Sequence, residues 1–115
     1  MARMSIRIDL EREGRLGPGK IALLERIAEC GSISAAGRAM AMSYRRAWLL
    51  VAELNASFVE PLVAAQMGGR QGGGARLTVF GTKLVSEYRA IEREAEAAVA
   101  PRLRALEDAA AKGAV

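Results

Sequence analysis

The stretch "GSISAAGRAMAMSYRRAWLLVAELN", residues 31–55, carries two short helical patterns separated by barely one turn. Two helices joined by such a turn need small or apolar side chains where they cross. The stretch supplies them at offsets of four, two, five and three, at Ala36, Met40, Met42, Ala47 and Leu50. The spacing predicts a helix-turn-helix motif, with Gly37 at the closest contact between the helices. Ala41 takes the place of the usual turn glycine, where φ is often positive.

The hydroxyl residues of this stretch predict where its helices begin, because serine side chains cap helix N-termini. Ser32 or Ser34 caps a first helix that ends at about Ala41. Ser43 caps a second helix that ends at about Ser57.

The flanking segments predict the remaining elements. In "MSIRIDL", Ile6, Ile8 and Leu10 alternate with polar residues, which is typical of a half-buried strand. A helix is expected over 18–30. After the motif, "PLVAAQM" and "ARLTV" predict two strands joined by the glycine-rich "GGRQGGG". A long helix follows from Thr78 to about Ala98, and Pro101 is expected to end or kink it.

This order of elements predicts a mainly α fold with a small β-hairpin wing. Residues 1–78 form a winged helix-turn-helix domain. Residues 79–115 form a long dimerisation helix, kinked near Pro101 and frayed at its C-terminus. Its apolar residues recur at steps of three and four, which favours pairing with a second copy through Leu84, Tyr88, Ile91 and Ala95. The acidic residues beside this seam are expected to be solvated: Glu87, Glu92, Glu94 and Glu96.

The second helix of the motif has two distinct faces at 100° per residue. Its apolar residues share the face expected to be buried: Ala47, Leu50, Val51 and Leu54. Arg45, Leu49 and Ala52 point the opposite way. Arg46 and Trp48 flank that outward face, and Tyr44 is expected nearer the core edge. Trp48 has three open assignments: contact with DNA, packing under the first helix, or packing against a partner subunit.

The charge of the chain is concentrated around this helix. The net charge is +4, and residues 31–83 hold that whole excess, with six basic side chains against Glu53 and Glu60. A basic centre between nearly neutral ends indicates a polyanionic partner such as double-stranded DNA. Arg45 is placed to read base edges in the major groove. Arg70 and Arg76 of the wing are placed to neutralise phosphates or enter the minor groove.

The composition argues against several other classes. The chain has no histidine and one cysteine, so we expect no disulfide framework, no metal site and no enzyme, because no nucleophile, base and orienting group can be assembled. The glycine-rich loop lacks the lysine and hydroxyl residue of a phosphate loop. No apolar run approaches the length of a membrane span, so we expect a cytoplasmic protein. We also expect no cofactor. Cys30 is expected to be a small buried hydrophobe, and Met40, Met42 and Met67 are expected in the core.

Two segments resemble a known family: "GPGKIALLERIAECGSISAAGRAMAMSYRRAWLLVAELN" and "GGRQGGGARLTVFGTKLV". They are similar to the N-terminal domain of the ModE-type molybdate-responsive transcription regulators, whose winged domain is similar to that of LysR-type regulators. The resemblance covers residues 17–91. It implies a dimer held by long helices on a palindromic operator, with Ser43, Tyr44, Arg45 and Trp48 where the family reads DNA. Including the flanking positions, the predicted DNA contacts are Ser34, Ser43, Tyr44, Arg45, Arg46, Trp48, Leu49, Arg70 and Arg76.

The same resemblance bears on effector sensing. ModE proteins sense molybdate through C-terminal oxyanion-binding domains, for which 115 residues leave no room. We therefore expect control by abundance, by a separate effector-sensing protein, or by a signal that the sequence does not show. The competing hypothesis is a protein-interaction or adaptor module without DNA specificity. It is favoured by Leu49 and Ala52, which lie on the outward face where polar side chains would read bases.

Overall fold

The computed structural model describes residues 2–11, 14–66 and 74–111. Within these residues the chain is mainly helical, with two small antiparallel sheets of two strands each. The elements in chain order are β1 (Ile8–Asp9), β2 (Arg15–Leu16), α1 (Pro18–Cys30), α2 (Ile33–Ala39), α3 (Tyr44–Ser57), β3 (Val63–Gln66), β4 (Gly74–Leu77) and α4 (Val79–Ala109). The predicted winged helix-turn-helix followed by a long helix is confirmed.

The N-terminal segment forms a hairpin rather than a single strand. β1 pairs with β2, and Ile8 lies opposite Leu16. The predicted alternation is confirmed, because Ile6, Ile8 and Leu10 are half-buried while the residues between them are exposed. The sequence did not indicate β2, since two residues are too few to show a period of two.

The helix boundaries follow their capping residues. α1 ends where Gly31 adopts a φ of 74°, and its N–H donates to the Ile27 carbonyl at 2.9 Å. The Ser32 hydroxyl accepts from the Ala35 amide at 2.9 Å, so Ser32, and not Ser34, caps α2. α3 begins after Ser43, as predicted.

The core lies where α1, α2, α3, the β3–β4 sheet and the first half of α4 meet. Among the described residues its buried members are Leu16, Ile21, Leu23, Leu24, Ile27, Ile33, Ala36, Ala47, Val51, Leu54, Leu62, Val63, Ala75 and Tyr88. Met40 and Met42 pack against it, as predicted. Cys30 is exposed, so the prediction of a buried cysteine was wrong. It is the last residue of α1, beyond the turn that Ile27 anchors in the core.

α4 starts at a close contact with the segment before the wing. The Thr78 hydroxyl caps the helix by accepting from the Gly81 amide at 2.9 Å, and the Thr78 amide donates to the Leu62 carbonyl at 2.9 Å. The predicted start of this helix is therefore confirmed.

The end of α4 differs from the prediction. The helix does not stop at about Ala98 but passes through Pro101 and continues to Ala109. Proline removes one helical hydrogen bond, here the one to the Ala97 carbonyl. Ala97 and Pro101 are exposed, so water can solvate that carbonyl and reduce the cost.

The first half of α4 is held against the rest of the chain by Tyr88. Tyr88 is 1% exposed and its hydroxyl donates to the Ile6 carbonyl oxygen at 2.5 Å. Tyr88 therefore has almost no surface left for a second copy of the chain. Of the predicted seam, Leu84 and Ala95 are half-buried and Ile91 is 43% exposed.

A charge cluster next to Tyr88 joins α4 to α1. The Arg89 guanidinium donates two hydrogen bonds to Glu25, at 2.6 and 3.0 Å, and a third to Glu92 at 2.6 Å. Glu92 is therefore half-buried and paired, unlike the solvated residue that was expected. The hydrogen bonds from Arg89 lower the pKa of the Glu25 carboxyl, and both carboxylates raise the pKa of Arg89.

Glu25→Gln is expected to destabilise the chain more at neutral pH than at acid pH. Because the folded-state pKa of Glu25 lies below its unfolded value, the ion pair stabilises the fold above about pH 4. This stability is lost as the pH falls through the folded-state pKa. We expect a loss of about 0.5–1 kcal/mol at pH 7, since water screens a pair that is one third exposed, and a smaller loss at about pH 3.

Urea unfolding at both pH values measures this difference. Glu94→Gln is the matched control, because Glu94 lies on α4, the helix that carries Arg89, is exposed and forms no ion pair among the described residues. An equal loss at both pH values would contradict the assignment to the ion pair.

Candidate nucleic-acid interface

The two helices of the central motif touch at the predicted residues. A methyl group added at Gly37 would lie 2.9 Å from the Ala47 Cβ atom. Ala41 in the turn has a φ of 55°, the left-handed conformation expected at that position. α2 and α3 therefore form a tightly packed helix-turn-helix.

α3 presents the predicted faces. Ala47, Val51 and Leu54 are buried, Leu50 is half-buried, and the opposite face of Arg45, Leu49 and Ala52 is exposed. We call α3 the recognition helix, because its outward face is exposed to solvent along the length of the helix.

Two arginines stand at the exposed start of the recognition helix. Arg45 and Arg46 are exposed and form no ion pair within the described part of the chain. The Ser43 hydroxyl accepts from the Arg46 amide at 3.1 Å. A helix N-terminus carries partial positive charge, so the two side chains and the helix end attract anions together.

Ser34 lies near this start, on α2. It is half-buried, and its hydroxyl accepts from Arg38 Nη1 at 3.0 Å. It lines the same cleft as Tyr44 and Trp48.

The aromatic residues of the recognition helix form an exposed pair. Tyr44 is 60% exposed, so the prediction that it lies near the core edge was wrong. As the first residue of the helix it has no preceding turn to cover it, and it packs edge-on against Trp48, with 6.0 Å between the ring centroids. Trp48 is 46% exposed and faces the wing, so it does not pack under α1.

Two clefts border the recognition helix on opposite sides. The wing cleft, about 330 Å³, lies between the helix and the β3–β4 sheet, and is lined by Trp48, Asn55 and Ala75 among others. The hairpin cleft, about 1040 Å³, lies between the helix, the start of α1 and the β1–β2 hairpin, and its charged lining residues are Arg7, Arg15, Lys20, Arg46 and Glu53.

The wing contributes one arginine that the structure describes. Arg76 on β4 is exposed, and its Nη1 donates to the Leu77 carbonyl at 3.4 Å. Arg70 and Met67 lie outside the described residues, so the predictions for them stay predictions.

The central part of the chain matches a known family. Residues 19–82 fit the model of the "Bacterial regulatory helix-turn-helix protein, lysR family". The chain belongs to the lysR family. The matched segment includes α1 from its second residue, the helix-turn-helix, both wing strands and the start of α4.

Curated relatives of this lysR-family chain are longer proteins. It is 49% identical over 84 residues to the molybdenum-pterin-binding protein MopB of Rhodobacter capsulatus, covering 72% of the chain and 31% of that protein. It is 41% identical over 99 residues to the molybdenum transport protein ModE of Azotobacter vinelandii, covering 86% of the chain and 36% of that protein. These identities confirm the predicted ModE likeness, and the chain spans about a third of the length of these relatives.

A solved structure shares the fold of the lysR-family chain. The crystal structure of a CbnR DNA-binding domain in complex with DNA superposes with a TM-score of 0.56 at 22% identity, covering 77% of this chain and 95% of that one.

In the described ranges, no helix is long and apolar enough to cross a membrane.

One residue that positions the candidate interface was missed in the sequence. Asn55 near the end of the recognition helix accepts from the Leu62 and Val63 amides at 2.8 and 3.1 Å and donates to the Val63 carbonyl at 3.2 Å. These bonds fix the wing relative to the helix. Because they join Asn55 to residues seven and eight positions later, no local pattern marks them.

Proposed function

We propose that this lysR-family chain is a sequence-specific DNA-binding transcription regulator. The observation that carries the proposal is the pair of exposed, unpaired arginines at the capped start of the recognition helix. In a helix-turn-helix this end enters the major groove, where an arginine can donate two hydrogen bonds to one guanine. The recognition helix with its cap, residues 43–57, and the wing, residues 68–76, supply the contacts.

The two arginines have different roles in this proposal. Arg45 lies at the centre of the exposed face and reads base edges. Arg46 lies at its border, beside the hairpin cleft, and binds phosphate, as does Arg76 on the wing. The proposal also assigns phosphate contacts to the Ser43 cap and to Ser34, and apolar contacts with sugars or bases to Tyr44, Trp48 and Leu49.

The proposed regulator is a homodimer on a palindromic site. Leu84, Ile91 and Ala95 support this, because they lie along α4 with accessible surface. A dimer with two-fold symmetry places two recognition helices on two half-sites. Sedimentation equilibrium tests this part, and a monomer at the concentrations that saturate DNA would contradict it. Control by a separate effector-sensing protein stays a prediction.

Arg45→Ala is expected to lower the affinity for the preferred site and to remove preference at one base pair. Losing a bidentate contact costs about 1–3 kcal/mol, or roughly five- to 150-fold in affinity. Arg76→Ala is expected to weaken all duplexes about equally, since phosphate carries no sequence information. Selection of sites from a random duplex library, followed by anisotropy titrations of the selected and scrambled sites, measures both effects.

Salt dependence provides an independent test of the same proposal. The logarithm of the wild-type affinity should fall with the logarithm of salt concentration by about 0.9 for each phosphate neutralised. No preference over scrambled duplex, or an affinity that salt does not change, would contradict DNA binding.

The alternative function is a protein-interaction module. It is favoured by the exposed apolar side chains on the outward face, Leu49 at 52% and Trp48 at 46%. A stable protein complex that survives substitution of both Arg45 and Arg46, together with no selected DNA site, would support this alternative.

A further inference from the structure

The N-terminal hairpin carries basic side chains that the helix-turn-helix and the wing do not account for. Arg7, directly before β1, and Arg15, on β2, are exposed, and both line the hairpin cleft together with Lys20 and Arg46. The hairpin precedes residue 19, where the family match begins.

We propose that this hairpin is a second arm that binds the DNA backbone, on the side of the recognition helix opposite the wing. The proposal rests on the proposed DNA-binding function and adds a surface to it. The phosphates it binds flank the base pairs that the recognition helix contacts.

The hairpin lies beside the recognition helix, on the side opposite the wing. Along the recognition helix, Arg46, Leu50, Glu53 and Ser57 recur at steps of four, three and four, so they share one side, and all four line the hairpin cleft. Tyr44, Trp48, Val51 and Asn55 share the other side and line the wing cleft. Arg45 lies between the two sides. A duplex centred on Arg45 therefore has a β-hairpin on each side.

The hairpin cleft has a net positive charge. Asp9 lies 3.1 Å from Arg7 and 3.8 Å from Arg15, and Glu53 lies 3.7 Å from Lys20. When Asp9 is counted with the charged lining residues, four basic side chains against two acidic ones leave an excess of two positive charges. The Asp9 pairs are more than half exposed, and exposed pairs of this kind contribute little stability. Phosphate can therefore replace Asp9 as the partner of these arginines at small cost.

The start of α1 adds to the same potential. Gly17 at its N-cap provides no side-chain hydrogen bond, and Gly17, Gly19 and Lys20 line the cleft. A methyl group at Gly19 would meet no atom within 4 Å, so the backbone is accessible there. The partial positive charge of the helix end and the Lys20 ammonium both favour an anion at this position.

The test replaces the charges of the hairpin without touching its packing. Arg7→Gln with Arg15→Gln should reduce the salt slope by roughly 1.8, since each lost phosphate contact removes about 0.9. Affinity for a 40-base-pair duplex selected with the wild-type chain should fall about tenfold or more at 0.1 M salt. Arg102→Gln with Arg104→Gln is the matched control, because it removes the same charge from exposed positions on the distal part of α4.

A second variant changes affinity in the opposite direction. Asp9→Asn removes the competing carboxylate and keeps both arginines, so it should bind DNA severalfold more tightly. Hydroxyl-radical footprints locate the contact: the Arg7 and Arg15 variant should lose protection at one edge of each half-site, and Arg76→Gln at the other edge.

The outcomes separate this inference from the function on which it rests. If both hairpin variants keep the wild-type affinity, slope and footprint while Arg45→Ala relaxes base preference, the second arm is wrong and the regulator stands. If the wild-type chain selects no duplex at all, both proposals are overturned. Circular dichroism of each variant establishes that it is folded.

Discussion

Gly81→Ala is expected to lower the free energy of unfolding by about 3 kcal/mol. A methyl group at this position would overlap the Leu62 carbonyl oxygen and lie 3.0 Å from the carbonyl carbon. Those atoms belong to backbone, which cannot rotate away as a side chain can. The same carbonyl accepts the Thr78 amide at 2.9 Å, so relief of the overlap would also break the contact that starts α4.

Thermal and urea unfolding measure this loss, which corresponds to a midpoint about 10 °C lower or more. Gly19→Ala is the matched control, because a methyl group there meets no atom within 4 Å and the helical backbone accepts alanine. It should be neutral or stabilise by about 0.5 kcal/mol. Similar stability of both variants would contradict the close contact between α4 and Leu62.

Asn55→Ala is expected to destabilise the chain by about 3 kcal/mol and to release the wing from the recognition helix. The substitution leaves two amides and one carbonyl without their partner, at residues Leu62 and Val63, which are 0% and 5% exposed. An unsatisfied buried polar group costs about 1–3 kcal/mol, and partial access of water reduces the sum. DNA affinity should fall as well, since the wing would no longer be held in place.

Asn55→Asp distinguishes the two hydrogen bonds that Asn55 accepts from the one that it donates. A carboxylate still accepts from both amides but cannot donate to the Val63 carbonyl. We expect a smaller loss than for alanine. Trp48, the single tryptophan, lines the same cleft, so its emission reports directly on the wing. An alanine variant with wild-type stability and unchanged emission would show that these hydrogen bonds do not hold the wing.

The local parts of the fold were predictable from the sequence. Gly37 and Ala47 are close because two crossing helices require small residues at that spacing, and Ser43 marks a helix start because its side chain bonds an amide three residues away. These relations span a few residues, so the sequence displays them directly. The exposed face of Arg45, Leu49 and Ala52 follows from helical periodicity in the same way.

Contacts between distant residues were not predictable. Arg89 and Glu25 are 64 positions apart, and Tyr88 reaches the Ile6 carbonyl across 82 positions. The apolar spacing of α4 was interpreted as a seam between two chains, although Tyr88 fills the core of its own chain. Periodicity shows which residues share a face of a helix, but not what covers that face.

The sequence by itself determined a helix-turn-helix with a wing, the Ser43 cap of the recognition helix and the arginines at the start of that helix. The tertiary structure alone decided that the N-terminal hairpin lies beside that helix and that Asn55 fixes the wing. The physical reason is that capping and helical periodicity act within one or two turns, whereas these placements depend on how separate segments share one core.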